Sequence, residues 1–163
     1  MIRLTKLTDY ALVLLTLISR YADRRTLTAR DLAVESRIPL PTVTKLLKLL
    51  QQGGLLTSQR GTKGGYSLSR RPKKISLAEV ISLLDGEIAL TTCSDHSSES
   101  TCEIEDCCPT RANQQVISRA IRETLSRVTL EDLRRPMRLA SVGGSGGKSL
   151  VASITPQSHK VQI

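Results

Sequence analysis

One stretch of the chain, residues 36–78, constrains the fold more than any other. It contains nine Lys or Arg residues and neither Asp nor Glu. Prolines at 39 and 41 precede an amphipathic run that Gly53-Gly54 ends, and two short apolar segments then flank a glycine-rich tip. A run of like charge is usually only solvated surface. The order of turn, helix and hairpin is therefore the more informative feature.

The residues before this stretch complete a helix-turn-helix pattern. Thr28-Ala29-Arg30-Asp31 is a capping-box pattern and predicts a helix from Thr28 to about Glu35. Pro41 suits the first turn of a second helix over about 41–52. The apolar spacing of this second helix turns its polar and basic residues outward, namely Thr42, Thr44, Lys45 and Lys48. In a helix-turn-helix, the second helix lies in the DNA major groove.

A β-hairpin is predicted next, with strands at 55–59 and 66–69. The glycines of its tip, at 61, 64 and 65, can take a positive φ and let the backbone approach a phosphate. Their spacing is not that of a nucleotide-binding loop, and the position after a helix-turn-helix is typical of a wing. The predicted DNA contacts of this unit are Thr28, Pro41, Thr42, Thr44, Lys45, Lys48, Arg60, Lys63, Gly64, Gly65 and Tyr66.

Helices are also predicted on both sides of the basic unit. The first, 8–21, has a regular apolar stripe, and Asp9 in its first turn suits the helix dipole. A capping box at Ser76 opens a helix that stops near Asp85-Gly86. A long helix over 111–128 has a narrow apolar stripe made of Ile117, Ile121, Leu125 and Val128. That stripe predicts either a dimer seam or ordinary packing against the first helix.

The predicted fold class is mostly α, a winged helix-turn-helix with a small β-hairpin wing, a cysteine loop and a long C-terminal dimerisation helix. The predicted division is a DNA-binding domain at 1–85, a cysteine-rich loop at 86–110 and a dimerisation helix with a short capping helix at 111–136. Residues 137–163 are glycine-rich and polar, which predicts a disordered tail.

Charge and composition limit the kinds of binding partner that the chain can have. The net charge of +9 favours a polyanion. With neither Phe nor Trp and only three Tyr, the chain lacks the stacking platforms of single-strand binders, so double-stranded DNA is predicted. No apolar run is long enough to span a bilayer, and residues 11–18 lack the flanks and cleavage site of a signal peptide. A cytoplasmic protein without a membrane partner is therefore expected.

Four cysteines lie within sixteen positions, at 93, 102, 107 and 108, among five acidic residues and no basic ones. Structural zinc sites usually have close chelating pairs, and the close pair here is adjacent, which hinders joint ligation. A thiol switch prefers positive surroundings, whereas these acids are expected to raise the thiol pKa. An iron–sulfur cluster tolerates wide cysteine spacing. The cluster is favoured on this chemistry, with zinc or a metal-free thiol switch left open.

The order of these parts resembles the Rrf2 family of bacterial winged-helix regulators, and it looks closest to regulators of SUF-type iron–sulfur cluster assembly. The resemblance covers about residues 1–135. It rests on the opening R-L-T-K-L-T-D-Y-A, the L-P-T-V-T-K-L of the second helix, the wing R-G-T-K-G-G-Y and the cysteine loop. It implies a homodimer that binds a palindromic operator and holds one iron–sulfur cluster per subunit.

The family's three cysteine ligands fall on Cys93, Cys102 and Cys108, with Cys107 as an extra residue or a substitute for Cys108. The fourth ligand is open. The histidine that IscR-like members place three positions after the third cysteine is Arg111 here. NsrR-like members use an acid of the partner subunit, which corresponds to Asp9, and His96 within the loop is another option. A 2Fe–2S cluster is favoured, with 4Fe–4S possible.

The sequence thus predicts a DNA-binding transcriptional regulator, a repressor of iron–sulfur assembly genes, and not an enzyme. Base edges are assigned to Thr42, Thr44 and Lys45, and phosphates or the minor groove to Lys48, Arg60 and Lys63. The alternative is a zinc- or thiol-based redox regulator with the same DNA-binding face and no cluster. An iron–sulfur carrier or electron-transfer enzyme is disfavoured, because no nucleotide loop or nucleophile–base pair is recognisable.

Overall fold

The structure is a computed structural model that describes residues 4–21, 26–61, 64–91, 94 and 107–135. The helices are α1 (Lys6–Arg20), α2 (Ala29–Ser36), α3 (Leu40–Gln52), α4 (Leu77–Asp85), α5 (Arg111–Arg127) and α6 (Leu130–Leu133). The strands β1 (Leu56–Gln59) and β2 (Gly65–Leu68) form an antiparallel hairpin, and a 3-10 turn covers Pro72–Lys74. In these parts of the chain, no helix is long and apolar enough to cross a membrane. The predicted tail at 137–163 lies outside them.

Side-chain caps explain where four helices begin. Thr5, Thr28, Ser76 and Thr129 each accept a hydrogen bond from the backbone N–H three residues later, which satisfies a donor that the helix leaves open. The capping box predicted at Thr28 forms completely, with the Asp31 carboxylate bound to the Thr28 N–H. At Ser76, the Glu79 carboxylate pairs with Arg70 instead.

One apolar core holds the helices around the hairpin. The predicted inner face of α3 is fully buried at Val43, Leu46, Leu47 and Leu50. Leu14, Leu32, Ile75 and Leu130 contribute from α1, α2, the segment after the hairpin and α6. Because Leu130 is 0% exposed, the C-terminal segment helps to complete the core of the winged unit. The domain limits drawn from the sequence stay a prediction.

The turn between α2 and α3 is tight. Arg37 ends α2 in the left-handed conformation with φ 58°, which is uncommon for a residue other than glycine. The Ser36 hydroxyl donates to the Leu32 carbonyl at 2.6 Å and accepts from the Ile38 N–H at 3.2 Å. Pro41 lies in the first turn of α3, as predicted. These contacts set the direction in which α3 leaves the turn.

The hairpin is joined to the helices by a third short pairing. Leu27 and Tyr66 exchange backbone hydrogen bonds of 3.1 and 2.8 Å, so the residues before α2 extend the sheet. A Cβ at Gly65 would lie 2.7 Å from the Leu27 carbonyl oxygen. Of the three glycines that can take a positive φ, Gly61 and Gly65 do so and Gly64 does not. Glycine is needed there because a Cβ would lie 2.4 Å from the Gln59 carbonyl oxygen.

The end of α5 returns to the winged unit. Leu77 N–H donates to the Val128 carbonyl at 2.8 Å, and Leu130 N–H donates to the Ile75 carbonyl at 3.0 Å. The main helical neighbour of α5 is α4, whereas the sequence pointed to the first helix as its packing partner within the chain. Its apolar stripe is only partly covered: Ile117 is 45% exposed, Ile121, Leu125 and Val128 are half-buried, and the neighbouring Val116 is 64% exposed.

Candidate nucleic-acid interface and cysteine segment

The outer face of α3 presents several of the predicted DNA contacts. Pro41, Thr44, Lys45 and Lys48 are exposed, and Thr42 is half-buried. The helix has neither Asp nor Glu. Since the opposite face is packed into the core, α3 cannot roll without exposing four buried side chains. The face therefore offers a fixed set of donors to a groove.

The Thr44 hydroxyl is already used within the helix. It donates to the Leu40 carbonyl at 2.9 Å. Its oxygen lone pairs and its methyl group remain for a ligand. Such a side chain can accept from the amino group of adenine or cytosine, or contact the methyl group of thymine.

Thr28 and the wing residues have structural roles that the sequence only partly indicated. The Thr28 side chain accepts from the Asp31 N–H and donates to the Asp31 carboxylate at 2.8 Å, so it caps α2. Tyr66 is half-buried against the core. Arg60 is exposed near the wing tip, and the glycines at 64 and 65 are half-buried. Lys63 lies outside the described residues.

A hydrogen-bonded group that the sequence pattern did not reveal joins the end of α4 to the start of α1. It consists of Asp85, Thr5 and Thr8 and is called the Asp85 cluster below. Asp85 accepts hydrogen bonds from the Thr5 hydroxyl at 2.6 Å, the Thr8 hydroxyl at 2.7 Å and the Thr5 N–H at 3.1 Å. Burial raises the pKa of the Asp85 carboxyl, but these bonds from Thr5 and Thr8 outweigh it and lower the pKa below its usual value. Residues about 80 positions apart meet here, so no local pattern could reveal the cluster.

The segment that leads toward the cysteines is held on α5. Arg122 of α5 pairs with Glu87 and donates to the Ile88 carbonyl at 3.3 Å. Leu90 N–H donates to the buried Ser118 hydroxyl at 3.1 Å. Ser118 is the one buried residue of α5. Together, these contacts hold residues 87–90 along that helix.

Two of the candidate metal ligands lie at the start of α5. Cys107 is exposed and Cys108 is half-buried, and the Cys108 Sγ lies 3.4 Å from the Thr110 hydroxyl. That hydrogen bond, with smaller help from the Thr110 and Arg111 backbone and the Arg111 charge, lowers the pKa of the Cys108 thiol. The expectation that acidic neighbours raise the thiol pKa is therefore wrong for Cys108. The acidic residues of the segment, at 95–106, lie outside the described residues, and the causes of the shift at Cys108 are its contacts with Thr110 and Arg111.

The remaining ligand candidates are not brought together in the described part of the chain. Cys93, Cys102 and His96 lie outside it, and Asp9 is exposed in the first turn of α1. Across residues 4–21, 26–61, 64–91, 94 and 107–135, no three His, Cys, Asp or Glu side chains converge as a metal site. The donor chemistry still suits iron at Cys108, because thiolate is the form that binds metal and a lowered pKa favours it.

Comparison with known proteins identifies the family. The Rrf2 profile, described as an iron-dependent transcriptional regulator, matches residues 4–136. The chain belongs to the Rrf2 family. It is 29% identical over 140 residues to the HTH-type transcriptional regulator IscR of Xenorhabdus nematophila, covering 86% of this chain and 84% of that protein. A putative HTH-type transcriptional regulator, rrf2-like, of Rhodobacter capsulatus is 33% identical over 107 residues, 64% of this chain and 70% of that one.

Solved Rrf2-type structures agree with the fold. CymR of B. subtilis, titled a global cysteine regulator, superposes with a TM-score of 0.66 at 24% identity, over 82% of this chain and 97% of that one. IscR of T. potens superposes with a TM-score of 0.61 at 20% identity, over 81% and 85%. Both confirm the winged-helix fold class. The family match and the sequence relatives show that the chain is a DNA-binding transcriptional regulator and not an enzyme.

Proposed function

We propose that this Rrf2-family regulator is a homodimeric repressor of iron–sulfur assembly genes, controlled by an iron–sulfur cluster in its cysteine segment. The observation that carries the DNA-binding half is the outer face of α3, with Thr44, Lys45 and Lys48 exposed on a helix without acidic residues. Each α3 of the dimer enters a major groove. The two half-sites then lie about one helical turn, roughly 34 Å, or a multiple of it apart.

The dimer contact is proposed on α5. Val116, Ile117, Ala120, Ile121 and Leu125 line an open apolar groove of about 390 Å³ along this helix. An apolar face of this kind is stable in water when a second apolar surface covers it. A second copy presents the same face, so an isologous α5–α5 contact closes after two subunits.

Cluster binding is proposed at Cys93, Cys102 and Cys108, with Asp9 of the partner subunit as fourth ligand and His96 as the other candidate. The support is the thiolate-favouring surroundings of Cys108 and the exposed position of Asp9 at the start of α1. When bound, a cluster supplies a link between these side chains that depends on iron supply and on oxidants. A 2Fe–2S cluster is favoured over 4Fe–4S.

The control step is a change in how the two winged units are held. Residues 87–90 are fixed on α5, so ligation further along the segment acts on the helix that we assign to the dimer seam. Release of the cluster then alters the spacing or orientation of the two α3 helices. Operator affinity changes because both half-sites must be reached together.

The adjacent cysteines provide a matched test of the ligand set. Anaerobically purified wild type is expected to be coloured and to contain iron and sulfide. Cys108→Ser should lose the visible absorption, whereas Cys107→Ser should keep it. Asp9→Ala should shift the spectrum and His96→Ala should leave it unchanged. Colourless wild type without iron would refute the cluster.

A thiol-based regulator is the second candidate. The lowered pKa of the Cys108 thiol favours reactivity as well as metal binding. The chain also superposes on a Staphylococcus aureus CymR structure titled as an oxidized form, with a TM-score of 0.62 at 25% identity over 84% of this chain and 99% of that one. In that case the purified protein would be colourless, and oxidation of Cys108 would change DNA affinity.

A further inference from the structure

The Asp85 cluster joins three parts of the molecule that the proposed control must connect. The carboxylate holds the N-terminal turn of α1 through the Thr5 and Thr8 hydroxyls, at 2.6 and 2.7 Å. Thr5 is also the N-cap of α1, and its carbonyl accepts from the Asp9 N–H at 3.0 Å. A displacement of Asp85 would therefore also displace the helical turn that contains Asp9.

The same end of α4 also contacts the C-terminal end of α3. Leu83 lies against the C-terminal end of α3, where a Cβ placed on Gly53 would be 2.3 Å from a Leu83 methyl carbon. A side chain at position 53 would require the Leu83 side chain to shift. A displacement of the last turn of α4 thus acts on α1 and α3 at once.

The segment toward the cysteines starts directly after Asp85. Gly86 has φ 89° and turns the chain away from α4. Residues 87–90 then lie along α5 and border a cavity of about 320 Å³ together with Leu4, Ser118 and Ile121. This pocket lies beside the segment that the hydrogen bonds of residues 88 and 90 attach to α5, so the junction between α4 and α5 is not fully packed.

We infer that Asp85 is the positioning residue that transmits the state of the cysteine segment to α1 and α3. The inference rests on the proposed cluster-dependent control. When the segment is held by a ligand, Asp85 keeps the first turn of α1 and the end of α3 in one arrangement. Because Asp9 lies in that first turn, the same carboxylate also connects each subunit's own cysteine segment to the ligand that it offers to its partner.

Asp85 acts through its two carboxylate oxygens, which accept the three hydrogen bonds from Thr5 and Thr8. In Asp85→Asn, an NH2 group replaces one oxygen. If it faces the Thr5 N–H, that bond is lost; if it faces the hydroxyls, they must accept where they now donate, and the negative charge is lost in either case. Thr8→Val removes the second hydroxyl at nearly constant shape, and Thr8→Ser retains it. Glu131→Gln is a matched control, because Glu131 is an exposed acid of α6 paired with Arg134 and lies outside the cluster.

The test measures dissociation constants of cluster-loaded and cluster-free dimer on one duplex, which wild type has selected from a random-sequence pool. In wild type, the two states should differ by about 5- to 150-fold, the usual range of allosteric coupling. In Asp85→Asn, this ratio should fall below about 2 while the cluster-free affinity and the visible spectrum stay close to wild type. Thr8→Val should also lower the ratio. The double variant Asp85→Asn/Thr8→Val should lower it no further, since both substitutions disrupt the same contact between Asp85 and Thr8.

The outcomes separate this inference from the function on which it rests. A wild-type ratio of one refutes the proposed control and the transmission together. A normal wild-type ratio that persists in Asp85→Asn and Thr8→Val overturns the role of Asp85 and leaves the cluster control standing. If Asp85→Asn fails to fold, the two Thr8 variants decide. A ratio of dissociation constants that falls below about 2 in Thr8→Val and stays at the wild-type value in Thr8→Ser supports transmission. Equal ratios in the two variants contradict it.

Discussion

The helices α3 and α5 are both amphipathic, yet their apolar faces end in different surroundings. Val43, Leu46, Leu47 and Leu50 of α3 are all 0% exposed. On α5, the one buried residue is Ser118, and Ile117 of the apolar stripe is 45% exposed. The chain itself covers the apolar face of α3 and leaves the polar face for a partner. On α5 the chain covers the apolar face only partly, and we propose that the same face of a second copy covers the rest.

The difference separates two kinds of binding. On the proposed DNA-binding face, DNA meets charged and hydroxyl side chains on a helix that the core holds in place. In the proposed dimer, a second subunit meets aliphatic side chains, whose burial would stabilise the contact by about 25 cal/mol per Å². Substitutions on the two helices should therefore affect different measurements.

The largest effect is expected inside α3. Leu46→Ala removes a fully buried side chain and should lower the free energy of unfolding by about 2–5 kcal/mol. Urea unfolding at high protein concentration measures this loss. A cost below about 0.5 kcal/mol would mean that α3 is not fixed by its apolar face.

On α5, Ile117→Glu places a charge in the proposed seam and should weaken the dimer by at least about 100-fold, since an unpaired charge would be buried. Light scattering over a concentration series measures the mass. Val34→Glu is the control, because Val34 of α2 is 80% exposed and outside the seam. Dimers that persist in Ile117→Glu would place the contact elsewhere.

On the polar face of α3, two lysines should behave differently. Lys45→Ala should lose about 1–3 kcal/mol of discrimination between selected and random duplexes. Lys48→Ala should weaken both duplexes alike and lower the salt slope by about 0.9, the value for one phosphate contact. Anisotropy titrations over a salt series distinguish them, and identical behaviour of the two variants would refute the assignment.

The smallest effect concerns Asp85. Its lowered pKa means that its contribution is fully present above the usual carboxyl value of 3.8 and is lost as the pH falls through the folded value. Because the site is exposed, the contribution should stay below about 1 kcal/mol. The melting temperatures of wild type and Asp85→Asn should therefore differ near pH 6, and the difference should shrink as the pH falls below 3.8 and through the folded value. A difference that grows on acidification would contradict this sign.

Local sequence signals predicted the elements well. The Thr28 capping box, Pro41 and the glycines after α3 act within a few residues, so helix ends and apolar faces follow from them. The contacts of Asp85 with Thr5 and Thr8 and the bridge between Ser76 and Thr129 depend on the tertiary fold and have no local pattern.

The candidate site was only partly predictable for the same reason. The basic residues of α3 follow from helical spacing. The largest cause of the lowered pKa of Cys108 is the hydrogen bond to the hydroxyl of Thr110, two positions away, a contact that composition does not reveal. Ligands that come from a second subunit, as proposed for Asp9, depend on a contact that one chain does not contain.

The most direct test of the account is the operator affinity of one anaerobic preparation before and after removal of its cluster. Cluster control predicts that the dissociation constant changes by about 5-fold or more, and that Cys93→Ser, Cys102→Ser and Cys108→Ser bind like the cluster-free wild type. Equal affinity in both states, with the cysteine variants unchanged, would contradict it.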